Sequence, residues 1–470
     1  MSLFNIGLSG LNAANAGLSV TGHNITNAMT PGYSRQRVGF GAQINGNGMG
    51  GGVMVSDVER MSDTYLHLQI HTQRSGFGYK QVSTQYLSQT EGLLNSDNTS
   101  INIGLDRFYA ALSEASAQPQ DIAYRQTIVS QNEAMVDRFN NLSSQLENQK
   151  NQVDGQLNAG AKTANTLMAS LASLNKSLRE AGGSDAERSS LLDARDKALT
   201  ELSSMMDIST TYNTDGTVAV SLGQGQPLVS GTTASKLTTN QDGELLLERG
   251  DSKFALNHNV GGTIGGLVNY RDEHLSDLEH ELDVMAYSFA TQFNAQHTQG
   301  VDLNGNPGKP VFGGVDQIEG AAKNLTLLVT DPKELAFAGN GTVDEPGNSD
   351  NLQALIGLKN AEINIDKTTL SAADAEKYGN AIDSINGKSL YTAYTGLSGD
   401  WAIKTSQSKT DMTSAESQLK HAENARESIS GVNLDEEAVS LMQFTQMYQA
   451  NSKVISTAQQ LLDITMSMFN

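Results

Sequence analysis

The stretch LDEEAVSLMQFTQMYQANSKVISTAQQLLDITMSMFN, residues 434–470, decides the fold class. Leu434, Leu441, Tyr448, Ile455, Leu462 and Phe469 recur at every seventh position, and Met447, Val454, Leu461 and Met468 each precede one of them. Apolar side chains at that spacing share one line of an α-helix, so six successive repeats predict a long helix built to pack on another. Asn433, with Glu436 three residues on, forms a capping-box-like start, and Asp435, Glu436 and Glu437 sit where the helix dipole is positive. At the other end of the chain Phe4, Leu11, Leu18 and Ile25 also fall seven apart. Leu8 and Ala14 widen that stripe, while Ile6, Ala13 and Val20 form a second one on the opposite face. Thr30-Pro31-Gly32-Tyr33 predicts that this helix ends before a type II turn, because proline disfavours helix in the residue before it.

Charge sets both ends apart. Residues 1–34 carry no Asp, Glu, Lys or Arg, and residues 438–470 carry only Lys453 and Asp463. The ends are rich in Asn, Ser, Thr, Gln, Gly and Ala between large apolar residues, a composition suited to burial against protein. A lone helix of this kind cannot offset the entropy of ordering its backbone, so the ends are predicted to order only when partners cover both stripes.

The chain as a whole, 470 residues with 38% hydrophobic content, is long enough for several cores. Its 52 acidic against 31 basic residues give a net charge of -21, which disfavours nucleic acid and anionic lipid as partners. Cysteine is absent, which removes disulfides, cysteine zinc sites and thiol nucleophiles. No apolar run is long enough to predict membrane insertion, and no secretory signal pattern opens the sequence. An extracellular destination would therefore require another export route.

Between the ends, residues 62–95 and 100–117 read as helices. The stripe Val136, Phe139, Leu142, Leu146, Val153, Leu157, Ala164, Leu167, Leu171, Leu174, Leu178 predicts one helix of about 60 residues, about 90 Å long. Thr210 to Leu256 reads as short strands with turns at Asp215-Gly216 and Asp242-Gly243. Leu278, Leu282, Met285, Phe289 and Phe293 mark another helix, 300–350 is rich in Gly, Asn and Pro, and helical pattern returns from Leu390. The expected fold is mainly α with β inserts: a terminal helical coiled-coil domain and a long-helix rod domain formed by both chain ends, plus small outer β-rich domains. The expected boundaries are 1–38 and 430–470 for the terminal assembly domain; 39–205, 259–300 and 350–429 for the rod; 206–258 for a β-rich insert; and 301–349 for a loop and β-rich insert. Both inserts carry turn chemistry and little apolar period, so they are expected to face solvent.

Candidate chemistry is sparse. His67 and His71 lie four apart on a helix and could share a metal, but the nearby sequence offers no further ligand, and a surface helix face is the plainer reading. His274 and His280, among Asp272, Glu273, Asp277, Glu279, Glu281 and Asp283, read as a solvated acidic face. Asp302-Leu303-Asn304-Gly305-Asn306 opens like a calcium loop, but Gly313 stands at its twelfth position, and a turn fits better. The glycine run 46–52 lacks the Gly-Lys-Ser/Thr of a phosphate loop. No catalytic, metal or cofactor residue is assigned, and the chain is read as a non-enzyme.

Several of these segments resemble a family. Ser9-Gly10-Leu11-Asn12-Ala13-Ala14, Asn24-Ile25-Thr26-Asn27 and Thr30-Pro31-Gly32-Tyr33-Ser34-Arg35-Gln36 are similar to the N-terminal signature of the flagellar rod, hook and hook-associated axial proteins. Gly431-Val432-Asn433-Leu434-Asp435-Glu436-Glu437-Ala438 resembles their C-terminal motif. Phe108 to Leu112, Pro119-Gln120-Asp121 with Arg125, and Gly261 to Asp272 resemble the hook-associated members. The resemblance implies a structural subunit at the junction of hook and filament, with the termini paired at the core of a tubular polymer. Phe4, Leu11, Leu18, Ile25, Leu434, Leu441, Tyr448, Ile455, Leu462 and Phe469 are then the expected assembly interface, and Pro31, Gly32, Tyr33, Asn433 and Glu436 its motif and turn residues. It further implies self-association into a ring or short tube, and contact with hook protein and with a second junction protein, hook-associated protein 3. A cytoplasmic export chaperone on the C-terminal helix and type III export without cleavage complete the expectation. Thr26 departs from the alanine usual at that place in the motif, and the run Tyr448-Gln449-Ala450-Asn451-Ser452-Lys453 looks more like hook or rod proteins, so those identities stay open, as does a secreted adhesin.

Overall fold

The structure is a computed structural model that describes residues 3–44, 50–180, 185–240, 243–339 and 347–468. Its elements are helices α1 (Leu3–Asn27), α2 (Thr64–Leu94), α3 (Ile101–Ala115), α4 (Ile122–Glu180), α5 (Asp185–Met205), α6 (Gly262–Asn269), α7 (Ser276–His297), α8 (Ala321–Asn324), α9 (Asp350–Gly357), α10 (Ala372–Ile385), α11 (Leu390–Ser430) and α12 (Leu434–Ser467). Small antiparallel sheets accompany them, so the fold is mainly α with β inserts. α4 has 59 residues, close to the expected length. Its stripe is buried from Val136 to Leu178, except that Leu167 and Leu174 are half-covered and Met168 and Asn175 take the deeper places. The chain forms two compact units, residues 1–79, 160–265 and 413–470 in one, and 80–159 and 266–412 in the other.

In the first unit, α1 leads into the hairpin β1 (Gln36–Ile44) and β2 (Gly50–Arg60). One sheet has strand order β3 (Ile208–Tyr212), β4 (Val218–Leu222), β5 (Pro227–Ser230), β6 (Thr233–Ala234). A second runs β7 (Lys236–Thr239), β8 (Leu245–Arg249), β9 (Ser252–Leu256). Alternation along β4 buries Val218, Val220 and Leu222 with Leu199, Leu202 and Met206. Two asparagines of α4 bind the sheets as a strand would. Asn175 accepts from Val218 N at 2.9 Å and donates to the Val218 and Gly231 carbonyls at 2.8 Å. Asn165 accepts from Leu237 N at 2.7 Å and donates to Leu237 O at 2.8 Å. Gly262, at φ 58, lies so close to the Met205 backbone that a Cβ would overlap it.

The second unit is centred on aromatic rings. Phe108, Phe139, Phe289, Phe293 and Phe312 are all buried, with neighbouring centroids 4.9–6.3 Å apart. β10 (Phe312–Gly313) and β11 (Thr326–Leu327) form a short ladder here. Val311, Phe312, Leu325, Val329, Leu335, Ala336 and Phe337 are fully buried, which corrects the expectation that residues 301–349 as a whole face solvent. Turn residues break the stretch into short apolar runs that show no period, yet Val311-Phe312, Val329 and Leu335-Ala336-Phe337 drop into the core. Asp302 Oδ1 accepts from Asn304 N and Asn306 N at 2.8 Å, the geometry of a turn.

Arg125 anchors this stretch. It is buried, donates to the carbonyls of Pro119 at 2.5 Å and Leu335 at 2.7 Å, and lies 4.3 Å over the Phe337 ring. Burial brings its pKa down to about 10, so it remains a cation at neutral pH. Arg125→Met should strand both carbonyls and cost about 3 kcal/mol. Urea unfolding followed at Trp401, which is buried in the same unit, reads this directly. A loss below about 1 kcal/mol would mean that the carbonyls find other donors.

Candidate functional site in the paired terminal helices

α1 and α12 pack through small residues. The buried positions of α1 are Gly7, Gly10, Ala13, Ala14, Gly17, Thr21 and Asn24, one face of the helix at spacings of three and four. A Cβ on Gly7 would stand 2.8 Å from Ile455 Cγ1, one on Gly10 would fall among the Asn451 side-chain atoms, and one on Gly17 would meet the Phe444 ring at 2.6 Å. Gly7 thus faces Ile455, Gly10 faces Asn451, Gly17 faces Phe444, and Asn24 bonds Glu437, an antiparallel register. Glycine lets the two backbones approach, and each one lowers intrinsic helicity by about 1 kcal/mol relative to alanine.

The large apolar residues of the two seven-residue lines are left partly or fully exposed. Phe4, Leu11, Leu18 and Ile25 are half-buried. Leu434, Leu441, Tyr448 and Leu462 are exposed, Leu441 by 41% and Leu462 by 55%, while Ile455 is half-buried against Gly7. Phe469 lies outside the described residues. The two seven-residue lines are therefore not set against each other within the subunit, apart from Ile455. By the register above, Leu3 lies level with Ala458, the last buried residue of α12. Residues 459–468 are all exposed, among them Leu461, Leu462, Ile464, Met466 and Met468. Ten residues make about 15 Å of helix. This overhang is the largest apolar part of α12 without a partner among the described residues.

A polar clasp ties the two terminal segments where they leave the pair. The Asn24 side chain accepts from Tyr33 OH at 2.8 Å and from Gln36 N at 2.9 Å, and donates to Gln36 O at 2.8 Å and Glu437 Oε2 at 3.1 Å. Glu437, 2% exposed, also receives Arg35 Nε at 2.7 Å, and Arg35 Nη1 reaches Glu436 at 2.7 Å. Arg35 N donates to Ser430 O at 2.9 Å, and Arg426 donates to Tyr33 O at 3.1 Å. Burial, then Asp193 and Glu437, push the Tyr33 phenol up to about 12, which keeps it a hydrogen-bond donor. Tyr33 N donates to Thr30 O at 3.2 Å with Gly32 at φ 86, the predicted type II turn. Asn433 caps α12, accepting from Asp435 N at 3.0 Å and Glu436 N at 3.4 Å. Glu436 does not complete a capping box, because its carboxylate is drawn to Arg35.

Sequence reasoning named Pro31, Gly32, Tyr33, Asn433 and Glu436 but not Asn24, Arg35 or Glu437 as a set. One signal was available: Gly10, Gly17 and Asn24 fall seven apart, so an amide continues a line of glycines. The histidines also differ from expectation. His67 and His71 are buried rather than on a surface face, because Asp196 arrives from α5 with two arginines around it. Asp196 Oδ2 is 3.8 Å from His67 Nε2 but is already paired with Arg60 at 2.7 Å, and no metal-holding cluster occurs among the described residues. His274 and His280 are half-buried against Trp401 and Tyr378, not on a solvated face. Burial lifts Asp283 to about 6, although Gly320 N and Ala322 N donate to it at 3.0 Å.

Comparison with known proteins agrees with this geometry. The family model for the helical domain of the flagellar hook-associated protein FlgK matches residues 87–312, and that for the C-terminal part of the flagellar basal body rod FlgEFG proteins matches residues 425–468. Flagellar hook-associated protein 1 of Bacillus subtilis is 29% identical over 96% of this chain and 95% of its own. The Escherichia coli protein of the same name is 28% identical over 98% of each chain. The structure of the flagellar hook junction protein FlgK from Burkholderia pseudomallei shares the fold, with a TM-score of 0.65 at 15% identity over 78% of this chain and 100% of that one. The chain is a structural protein of the flagellar axis, and its own N- and C-terminal helices pack together. Within that class it belongs to the flagellar hook-associated protein 1 family. Its location is the flagellum, and no described helix is long and apolar enough to cross a membrane.

Proposed function

We propose that this chain forms the junction between hook and filament and permits filament assembly, polymerising into a ring or short tube through its paired terminal helices. The observation that carries this is the division of labour on those helices. Glycines close the pair inside the subunit, and large apolar residues, with the whole overhang, are left for neighbours. Phe4, Leu11, Leu18, Ile25, Leu434, Leu441, Tyr448, Ile455, Leu462 and Phe469 are proposed as the assembly interface. The partners are further copies of the chain, hook protein below, and a second junction protein, hook-associated protein 3, above. A cytoplasmic chaperone covers the C-terminal helix before type III export without cleavage. The Burkholderia pseudomallei neighbour is itself a flagellar hook junction protein, which supports the same reading.

A second reading, a hook or rod subunit, draws on the match of residues 425–468 to the rod-protein model. Electron microscopy of cells lacking the protein separates the two. Complete hooks without filaments, with flagellin in the medium, are expected of a junction protein. Cells without hooks would instead make the chain a hook or rod subunit.

A further inference from the structure

In the first unit, the turn that seats the terminal helices borders a cavity of about 530 Å³ lined by Pro31, Gly32, Tyr33, His67, Asp196 and Arg426, among others. His67 and His71 stand one helical turn apart under it, ring centroids 6.5 Å apart, 5% and 2% exposed. His67 Nε2 has Ser62 Oγ at 3.1 Å, while neither ring nitrogen of His71 has a hydrogen-bond partner among the described residues.

We propose that the His67–His71 pair is an acid-operated release for the seat of the terminal helices. An imidazolium needs an acceptor at each nitrogen, and His71 has none among the described residues. The charged groups acting on the pair from every side are mostly cations. α2 itself supplies Arg74, β2 supplies Arg60, α5 supplies Arg195 and Asp196, and α11 supplies Arg426. Asp196 is the carboxylate in reach, and it is held by Arg60 and Arg195 at 2.7 Å each. Arg74 is paired with Glu423 and offers His71 no acceptor either. A proton from bulk water can therefore be accommodated on His71 only if α2 moves off α5 and water enters through the cavity. That movement undoes the ground on which the Thr30–Tyr33 turn and Arg426 rest. The device is a property of the subunit and is independent of its place in the flagellum.

The direction follows from linkage. Burial first, then the charge of His67, holds His71 down to about 4 in the closed form, against 6.5 for an exposed imidazole. Between those values the opened form binds a proton that the closed form does not, so opening is favoured as pH falls from 6.5 towards 4. From pH 7 to pH 5 the opening constant should rise roughly 20-fold on account of His71.

Hydrogen exchange by mass spectrometry on the full-length monomer tests this, with labelling times lengthened at pH 5 to offset slower intrinsic exchange. Residues 28–36, 64–79 and 190–205 should exchange roughly 20-fold faster at pH 5 than at pH 7, relative to intrinsic rates. α3, in the other unit, should not change. His71→Leu and His71→Asn should each lose most of the acid response in those three segments and keep their protection at pH 7. Equal protection of the wild type at both pH values would overturn the proposal, and so would an undiminished acid response in either folded variant.

Discussion

Gly17→Leu is expected to abolish filament attachment while leaving α1 a better helix than before. A Cβ at this position meets the Phe444 ring at 2.6 Å, and the rest of a leucine side chain has no room in a face built of glycine and alanine. Overpacking costs about 1–3 kcal/mol in a core that can relax, and more where a backbone must be pushed away. The gain in helix propensity, about 1 kcal/mol, acts on the isolated helix and does not restore the approach. The control lies off the terminal helices: a Cβ on the exposed Gly155 of α4 meets nothing within 4 Å, so Gly155→Leu should assemble normally. Cells carrying each variant are scored for flagellin held as filament or lost to the medium. Normal filaments with Gly17→Leu would mean that α1 and α12 do not pair this way in the polymer.

Removing residues 459–470 should have an effect as large by a different route. The described part of this segment is exposed throughout and has no buried residue, so urea unfolding of the truncated monomer should match the full chain within about 0.5 kcal/mol. Yet the truncation discards Leu461, Leu462, Ile464, Met466 and Met468, each worth about 1.5–3 kcal/mol if covered by a neighbour. Leu462→Asp is the gentler version, because a carboxylate placed in that contact costs several kcal/mol. Ile455→Asp, by contrast, should lower monomer stability as well, since Ile455 touches Gly7. Filaments on cells with the truncated protein would remove the overhang from the assembly surface.

Much of the architecture was readable because its period is long. The stripe of α4 repeats often enough that its helix length could be stated from Val136 to Leu178, and Pro31-Gly32 announced its turn by chemistry alone. The packing of α1 was not readable from its large residues, because leucines and isoleucines draw the eye to faces that stay outward in the subunit. The face that pairs is marked by what glycine lacks. The clasp was half readable: its residues lie in the terminal motifs, but nothing local says that Glu437 meets Asn24 across the length of the chain. His67 and His71 were misplaced for the same reason, since Arg60 and Asp196 come from β2 and α5 to cover them. The buried runs at 311–312 and 335–337 are shorter than any period; the first is held by Asn294, which accepts from Val311 N and Phe312 N, and the second by Arg125 at the Leu335 carbonyl.

One side chain on α4 bears on how such subunits tolerate crowding. β7 is an outer strand of its sheet, and an outer strand presents free N–H and C=O groups to any extended chain beside it. Asn165 takes both groups of Leu237 at once, and so spends the middle of that edge on an amide from its own helix. Copies held side by side at the density of a polymer would meet a β7 already occupied, and strand exchange between them would have to begin by breaking two good hydrogen bonds.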